Sequence, residues 1–331
     1  MGHIEIRGEG VAASCCACLL GSAGVPLKLV RQFRPRVPAV VVSLATQTLV
    51  SSTLGHMELF AGCRPIKRRI VAWGPGAEPA TLPHAAVVIT EDELLERIES
   101  RLPASGGGGS ADWTVLAARP LPEPAIERRF GSRQAWAAAA EMKTPDEPAC
   151  WIESLCAGWL FLIPGWLIAV GGAPETLLAE SRLVAGEIRR LRRERAEFPA
   201  YPRIADPVGA PGWLACGSAA MAYDPICGDG TGNAVREAIL AAAVIKATAR
   251  GEPEDRLVAH YRRRLVAGFQ RHLELSLEFY RAGNSGPWWD EETAALERGV
   301  AWCTNELESL PPFRYRLDGY DLLPVAAFSG R

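Results

Sequence analysis

Residues 3–32, HIEIRGEGVAASCCACLLGSAGVPLKLVRQ, decide the fold class. They predict a short strand, a glycine-rich turn, a helix of small residues and a second strand, which together form a βαβ unit. Gly8, Gly10 and Ala13 have the spacing G-x-G-x-x-[G/A] between the strand and the helix. There the first glycine makes a tight turn, the second lets a pyrophosphate approach the backbone, and the small third residue lets helix and strand pack closely. We therefore expect a dinucleotide phosphate at this helix N-terminus, with a ligand-free tight turn as the alternative.

The second predicted strand ends without the acidic residue that commonly binds ribose hydroxyls in such a unit. Val30 or Arg31 stands at that place. A guanidinium group cannot accept a hydrogen bond from a hydroxyl. Either Arg31 contacts a phosphate, or the adenosine end of the ligand is held in a different way.

A second glycine-rich segment, GWLACGSAAMAYDPICGDGTGNAVREAI, occupies residues 212–239. It predicts a loop with alternating glycines after an Asp-Pro pair, followed by an amphipathic helix that begins near Thr231. Bare backbone directly before a helix N-terminus favours the close approach of an anion or a flat ring. An ordinary glycine turn is the alternative interpretation.

Three charged segments have helical patterns. Residues 90–102, TEDELLERIESRL, predict a helix capped by Thr90, with Glu93 closing a capping box. Residues 175–197, ETLLAESRLVAGEIRRLRRERAE, predict one or two helices, and residues 253–280 predict a long amphipathic helix.

The two glycine-rich segments together resemble the superfamily of FAD-dependent monooxygenases and flavin-dependent halogenases, which includes flavoproteins of quinone-cofactor oxidase maturation. The resemblance rests on GWLACGSAA, YDPICGDGTGNA, AGWLFLIP (157–164), FYRAGNSGPWWDEE (279–292) and RYRLDGYDLLPV (314–325). It covers most of the chain in order and is weakest between residues 60 and 150.

The resemblance implies an α/β (α+β) fold. Its parts are a Rossmann-like FAD-binding domain, an intertwined and shortened substrate-side sheet, and a C-terminal helical region. We expect the discontinuous FAD-binding domain at 1–75 and 200–255, the substrate-side sheet and helices at 76–199, and the helical region at 256–331.

The resemblance also implies which residues bind FAD. For the pyrophosphate and adenosine end they are Gly8, Gly10, Ala13, Ser14 and Arg31. For the ribityl chain and the edge of the isoalloxazine ring they are Gly217, Ser218, Asp224, Pro225, Gly228, Gly230, Thr231, Gly232 and Asn233. Ser218 replaces the family's ribityl-binding aspartate, and a serine hydroxyl can still donate to or accept from a ribityl hydroxyl.

The implied function is that of an FAD-dependent oxidoreductase, a monooxygenase-like or halogenase-like tailoring enzyme. Its substrate would be an aromatic small molecule or a side chain of a partner protein, and its electron source a flavin reductase or NAD(P)H. Lys67 is the candidate for the halogenase lysine, although we favour a solvated basic strand edge. Residues 159–164, WLFLIP, depart from the halogenase pattern W-x-W-x-I-P, so we favour monooxygenase or oxidase chemistry over halogenation.

Two alternative functions remain open at this point. The first is an FAD-fold accessory or binding protein whose flavin chemistry is weakened or lost, as Ser218 and Arg31 suggest. The second is an NAD-dependent dehydrogenase, in which residues 212–239 would be unrelated to the N-terminal glycines and far from them.

Composition narrows the partners. The formal net charge of −2 gives no basic field for nucleic acid.

The nine cysteines contain a CxxC spacing only at Cys15 and Cys18, so we expect no metal site, and we favour packed thiols over a redox pair. Polar residues interrupt the apolar run 37–54, and Pro164 and Gly165 split the run 157–173, so we expect no membrane span, and in the second run two strands joined by a turn. The cysteine usage and a strand that begins at His3 lead us to expect a cytoplasmic protein.

Overall fold

The computed structural model describes residues 3–104, 106 and 110–325. Within these residues the α-helices are α1 (Val11–Ser22), α2 (Leu44–Leu54), α3 (Glu91–Glu99), α4 (Pro174–Glu180), α5 (Gly230–Ala249), α6 (Glu254–Arg281) and α7 (Pro287–Ser309). The strands are β1 (Ile4–Arg7), β2 (Leu27–Val30), β3 (Val40–Ser43), β4 (Arg64–Ala72), β5 (Ala80–Ile89), β6 (Trp113–Leu116), β7 (Ile126–Arg129), β8 (Gln134–Met142), β9 (Ala149–Leu155), β10 (Gly158–Ile163), β11 (Trp166–Gly171), β12 (Ile188–Pro199), β13 (Arg203–Asp206), β14 (Gly209–Ala210), β15 (Trp213–Ala215), β16 (Met221–Ala222), β17 (Tyr315–Asp318) and β18 (Asp321–Pro324).

The first sheet confirms the βαβ opening. Its order is β14-β15-β6-β1-β2. Strand β1 is parallel to β2 and β6, and β6 is parallel to β15. The helices α1 and α5 pack against each other. Because parallel strands run in one direction, the carboxyl ends of β1, β6 and β15 meet at one edge of the sheet, where open α/β sheets bind ligands.

The second sheet is larger and has the order β12-β8-β11-β10-β9-β4-β5-β3. The two strands expected in residues 157–173 are confirmed as the hairpin of β10 and β11, which pairs Ile163 with Trp166 around Pro164 and Gly165. All six residues of β10 are buried, which explains its uninterrupted apolar sequence.

The expectation for residues 175–197 is largely wrong. Pro174–Glu180 is helical, but Ile188–Pro199 is the edge strand β12, which pairs antiparallel with β8 and has two register shifts. A charged edge strand interrupted by bulges loses the period-two alternation that identifies a strand. The spacing of its apolar residues, Ile188 and Leu191, then fits a helix as well as a strand.

The C-terminal part begins with two long helices. The helix expected at 253–280 is confirmed as α6, which packs against α7, and β17 and β18 form a hairpin after them. Strands β3 and β4 lie within the range 1–75 but join the second sheet, and β6 lies within the range 76–199 but joins the first sheet. The chain therefore passes between the two sheets more often than these ranges imply. The expected domain limits therefore stay a proposal, and residues 326–331 of the last range lie outside the described residues.

Candidate functional site

The first glycine-rich turn follows β1 and leads into α1. Gly8 has φ of +139°, a conformation that favours glycine, and a Cβ atom at this position would lie 3.0 Å from Cβ of Ala117. Gly10 is the N-cap of α1, and a Cβ atom there would lie 3.1 Å from Nη2 of Arg34. A guanidinium group therefore lies over bare backbone at a helix N-terminus, which is where the motif predicts a phosphate.

Arg34 is held in this position by Glu91, the first residue of α3. The two form an ion pair, and the Glu91 carboxylate also accepts a hydrogen bond of 2.8 Å from the backbone N–H of Val37. Arg34 was not identified from the sequence, because its guanidinium group comes to lie next to Gly10 only when the chain folds.

A cavity of about 280 Å³ adjoins this turn. Its lining residues are Gly8, Glu9, Ala13, Ser14, Leu29, Arg31, Arg36, Asp92, Leu95, Glu96, Glu99 and Leu102. Gly8, Ala13, Ser14 and Arg31 were all candidates from the sequence. Ser14 donates a hydrogen bond from its hydroxyl to the carbonyl oxygen of Gly10, at 3.2 Å.

Arg31 forms an ion pair with Glu99 of α3. Asp92, Glu96 and Glu99 line the same cavity, so carboxylates reach it from α3 rather than from the end of β2. Their spacing of four and three residues places them on one helix face. That spacing was available in the sequence and is the signal that could have found them.

The second glycine-rich segment meets the first one directly. Gly217, which follows β15, has φ of +57°, and a Cβ atom there would lie 2.7 Å from Cβ of Ala12 in the first turn of α1. Glycine is needed at this position both for the backbone conformation and for the close approach. The NAD-dehydrogenase alternative requires the two segments to be far apart, and this contact is the opposite of what it predicts.

A buried carboxyl group supports Gly217 from α5. The backbone N–H of Gly217 donates to Oε2 of Glu237 at 2.7 Å, and the hydroxyl of Tyr223 donates to Oε1 at 2.8 Å. Burial raises the pKa of Glu237 to about 8, although both hydrogen bonds act to lower it. Glu237 was not identified from the sequence, because a lone acid on a helix carries no signal of burial.

Ser218 is half-buried beside Gly217. Its Oγ lies 3.5 Å from the carbonyl oxygen of Ala117, at the carboxyl end of β6. This contact is at the long limit of a hydrogen bond, so the hydroxyl is available to a ligand that lies along the sheet edge.

Residues 224–233, which form the loop and the first turn of α5, present two bare positions and one packed position. No heavy atom lies within 4 Å of the place that a Cβ atom would occupy at Gly228 or Gly230. At Gly232, in contrast, a Cβ atom would lie 2.2 Å from Oδ1 of Asp229 and 2.8 Å from Oγ1 of Thr46. Gly228 and Gly230 therefore leave room for a flat ring. The space at Gly232, in contrast, is filled by the side chains of Asp229 and Thr46.

The helix after this loop begins at Gly230, one residue before the expected start. Thr231 is half-buried. The backbone N–H of Asn233 donates to the carbonyl oxygen of Asp229 at 3.0 Å, and the Asn233 side chain accepts a hydrogen bond from Arg236. The side chain of Asn233 is thus already in use within the helix.

Asp224 contacts protein through its side chain. Oδ2 accepts a hydrogen bond of 2.8 Å from Nε of Arg133, and Oδ1 accepts one of 2.9 Å from the backbone N–H of Ile226. Arg133 is fully buried, forms a second ion pair with Glu292 of α7, and lies 4.6 Å from the ring centroid of Tyr280. This network fixes the loop to the second sheet and to the C-terminal helices, so the carboxylate of Asp224 positions the loop.

A small cavity of about 30 Å³ lies between this loop and the second sheet. Its lining residues are Val41, Ser43, Arg69, His84, Ile152, Trp159, Phe161, Pro225, Ile226 and Gly228. Pro225 and Gly228 were candidates from the sequence. Lys67, in contrast, is exposed on β4 and does not line this cavity.

The described residues contain no group of three or more histidine, cysteine or acidic side chains that could hold a metal ion. In the same part of the chain, none of the helices has the length and apolarity needed to cross a membrane. Cys15 and Cys18 are both buried, and burial raises the pKa of each thiol, which agrees with packed thiols.

Comparisons with known proteins place this geometry among solved structures. No protein-family model matches the chain, and no curated protein sequence matches it significantly. The peptidyl tryptophan dihydroxylase QhpG, essential for tryptophylquinone cofactor biogenesis, matches with a TM-score of 0.74 and 20% identity, over 88% of this chain and 78% of that chain. The myxobacterial chondrochloren halogenase CndH, a variant of FAD-dependent halogenases, matches with a TM-score of 0.71 and 17% identity, over 92% and 90% of the two chains.

A third match is p-nitrophenol 4-monooxygenase from Pseudomonas putida. Its TM-score is 0.68 and its identity 13%, over 93% of this chain and 97% of that chain. All three matches cover most of both chains, and at these identities they establish the fold. The chain has the mixed α/β fold of the FAD-dependent monooxygenases and halogenases, with its two glycine-rich segments joined at one sheet edge.

Proposed function

We propose that this chain is an FAD-dependent oxidoreductase of the monooxygenase type. The observation that carries the proposal is the contact between the two glycine-rich segments. A Cβ atom at Gly217 would lie only 2.7 Å from Cβ of Ala12. Both segments therefore line one edge of the first sheet. FAD can contact both segments at once. Its pyrophosphate and adenosine would lie at the first segment, and its flat isoalloxazine ring would lie at the second.

The residues present fit FAD along this edge. The pyrophosphate would lie at the N-terminus of α1, against Gly10 and near the guanidinium group of Arg34. The adenosine end would enter the cavity of about 280 Å³, where carboxylates of α3 take the place of the missing acid as acceptors for ribose hydroxyls. The ribityl chain would pass Gly217 and Ser218, and the ring would lie against the bare backbone of Gly228 and Gly230.

Bound FAD would supply the redox chemistry, and the protein would position it and exclude water. Helix α5 begins at Gly230, two residues after Gly228, and its positive end favours negative charge on a ring beside it. A flavin reductase or NAD(P)H would be the electron source.

The proposed substrate is an aromatic small molecule or an aromatic side chain of a partner protein. The small cavity between the loop and the second sheet is lined by Trp159 and Phe161, which suit a flat apolar group. Structurally similar proteins are named for acting on peptidyl tryptophan and on p-nitrophenol. We prefer oxygenation to halogenation, because Lys67 lies outside this cavity. All nine cysteines are free, which fits a reducing compartment, and we propose the cytoplasm.

A second candidate function is an FAD-fold binding or accessory protein without flavin chemistry. The observation that favours it is the small cavity beside the loop, which has about 30 Å³. Sites for small-molecule ligands usually measure about 300–1,000 Å³, so the loop or its neighbours must move before an aromatic substrate enters.

Turnover under oxygen separates the two candidates. The protein is loaded with FAD and supplied with NADPH, or with NADH and a flavin reductase, together with a panel of phenols, indoles, aromatic carboxylic acids and tryptophan-containing peptides. We expect oxygen consumption that depends on one of these compounds, and a product that is heavier by one or more oxygen atoms. No oxygen consumption with any of these compounds, and bound FAD that stays oxidised, would favour the binding protein.

A further inference from the structure

Arg69 is a cation in the small cavity whose charge is not balanced by an acid. Among the described residues no carboxylate lies within 4.0 Å of its guanidinium nitrogens, and Nε is buried without a hydrogen-bond partner. Arg68, the preceding residue on β4, is paired with Glu147 and has a side chain that is 47% exposed. Neighbouring positions on one strand thus hold one paired arginine and one unpaired arginine.

The groups that contact Arg69 are neutral. Nη2 lies 3.1 Å from Nε2 of His84. Burial, reinforced by the charge of Arg69, lowers the pKa of His84, so this ring nitrogen is an acceptor without charge. The other contact is the thiol of Cys150, whose pKa is raised by burial. Neither group compensates the guanidinium charge.

A partly buried cation without an anion is costly, since the low-dielectric surroundings disfavour an isolated charge. Such a group is stabilised most by a ligand that brings the opposite charge. Arginine presents its donors in a planar fork that matches the two oxygens of a carboxylate.

The size of the cavity agrees with a carboxylate. A cavity needs about 10–15 Å³ for one water-sized atom, so about 30 Å³ admits two oxygen atoms and excludes a ring. Trp159 and Phe161 line the same cavity, so an aromatic group attached to the carboxylate would meet aromatic surface when the loop moves.

We propose that Arg69 binds the carboxylate of an aromatic acid, and that the substrate class of this site is therefore anionic. The proposal rests on the proposed function, since it takes this cavity as the substrate side of the site. It makes Arg69 a specificity-determining residue, and it predicts discrimination between an acid and its neutral amide.

Calorimetric titration tests the proposal without any need for turnover. The probes are two acid–amide pairs: phenylacetate with phenylacetamide, and 4-hydroxyphenylacetate with 4-hydroxyphenylacetamide. Within each pair only the head group differs, and it is charged in the acid and neutral in the amide. We expect FAD-loaded protein to bind each acid about tenfold to a hundredfold more tightly than its amide, the range for hydrogen bonds to a charged group. Arg69→Gln should remove this preference, and Arg68→Gln, the matched control, should keep it.

Three results would overturn the proposal. They are equal affinity for acid and amide, an unchanged preference in Arg69→Gln, and an equal loss in Arg68→Gln. If Arg69→Gln does not fold, Arg69→Lys keeps the charge without the fork and should reduce the preference only in part. Absence of FAD uptake would contradict the proposed function instead, and the same titrations on the flavin-free protein would still decide whether Arg69 binds the acid.

Discussion

Replacement of Glu237 by glutamine should make the stability of the protein less dependent on pH. The carboxyl group of Glu237 is buried under the Gly217 turn, where it accepts hydrogen bonds from Gly217 and Tyr223. Burial raises its pKa from 4.5 to about 8. The folded protein therefore keeps this proton over a pH range in which the unfolded chain has lost it.

The direction of the effect follows from this difference. A group with a raised pKa in the folded state contributes stability that is fully present below the unfolded pKa and is lost as the pH rises through the folded pKa. For Glu237 the loss extends from pH 4.5 to about 8. Since one pH unit is worth about 1.4 kcal/mol per proton, the total approaches about 5 kcal/mol, of which about 3 kcal/mol falls between pH of about 5.5 and 8.5.

Urea unfolding at several pH values measures this loss. The free energy of unfolding of the wild type should fall by about 3 kcal/mol more than that of Glu237→Gln over this interval, because the amide of glutamine does not ionise. Glu278→Gln, at an exposed position of α6, is the control and should behave as the wild type does. Parallel pH profiles for the wild type and Glu237→Gln would mean that burial does not raise the pKa of Glu237 in the folded protein.

Three further substitutions test the loops and the network that holds them. Gly230→Ala fills open space, so the folding midpoint should stay the same while the Kd for FAD rises at least about tenfold; unchanged FAD binding would move the ring elsewhere. Arg133→Met leaves Asp224 and Glu292 buried without their partner and should lower the free energy of unfolding by about 3–5 kcal/mol, whereas a loss below about 1 kcal/mol in a urea titration would contradict the role given to this network. Ser218→Asp should retain FAD more tightly, by about tenfold in Kd, and unchanged or weaker retention would mean that the ribityl chain lies elsewhere.

The sequence predicted those features that depend on neighbouring residues. The spacing of Gly8, Gly10 and Ala13 predicted a turn between a strand and a helix, and Pro164 with Gly165 predicted a hairpin. Thr90 was expected to cap α3, and its hydroxyl does accept a hydrogen bond from the backbone N–H of Glu93.

Features that depend on distant residues were not predicted. Arg133 joins Asp224 to Glu292, and these three residues come from separate parts of the chain. The burial of Glu237 depends on how α5 packs against the Gly217 turn, which no local pattern reports. The spacing of Ile188 and Leu191 in β12 gave a helical pattern, because a charged edge strand has no continuous apolar face to reveal its period.

The uptake of FAD by the purified chain shows whether the two glycine-rich segments form one binding site. The purified chain is titrated with FAD, excess ligand is removed by gel filtration, and the visible absorption spectrum of the protein fraction is recorded. Two glycine-rich segments that form one site predict a yellow protein with one FAD per chain and a perturbed flavin spectrum. A colourless protein that takes up no FAD would mean that the two segments do not form an FAD site.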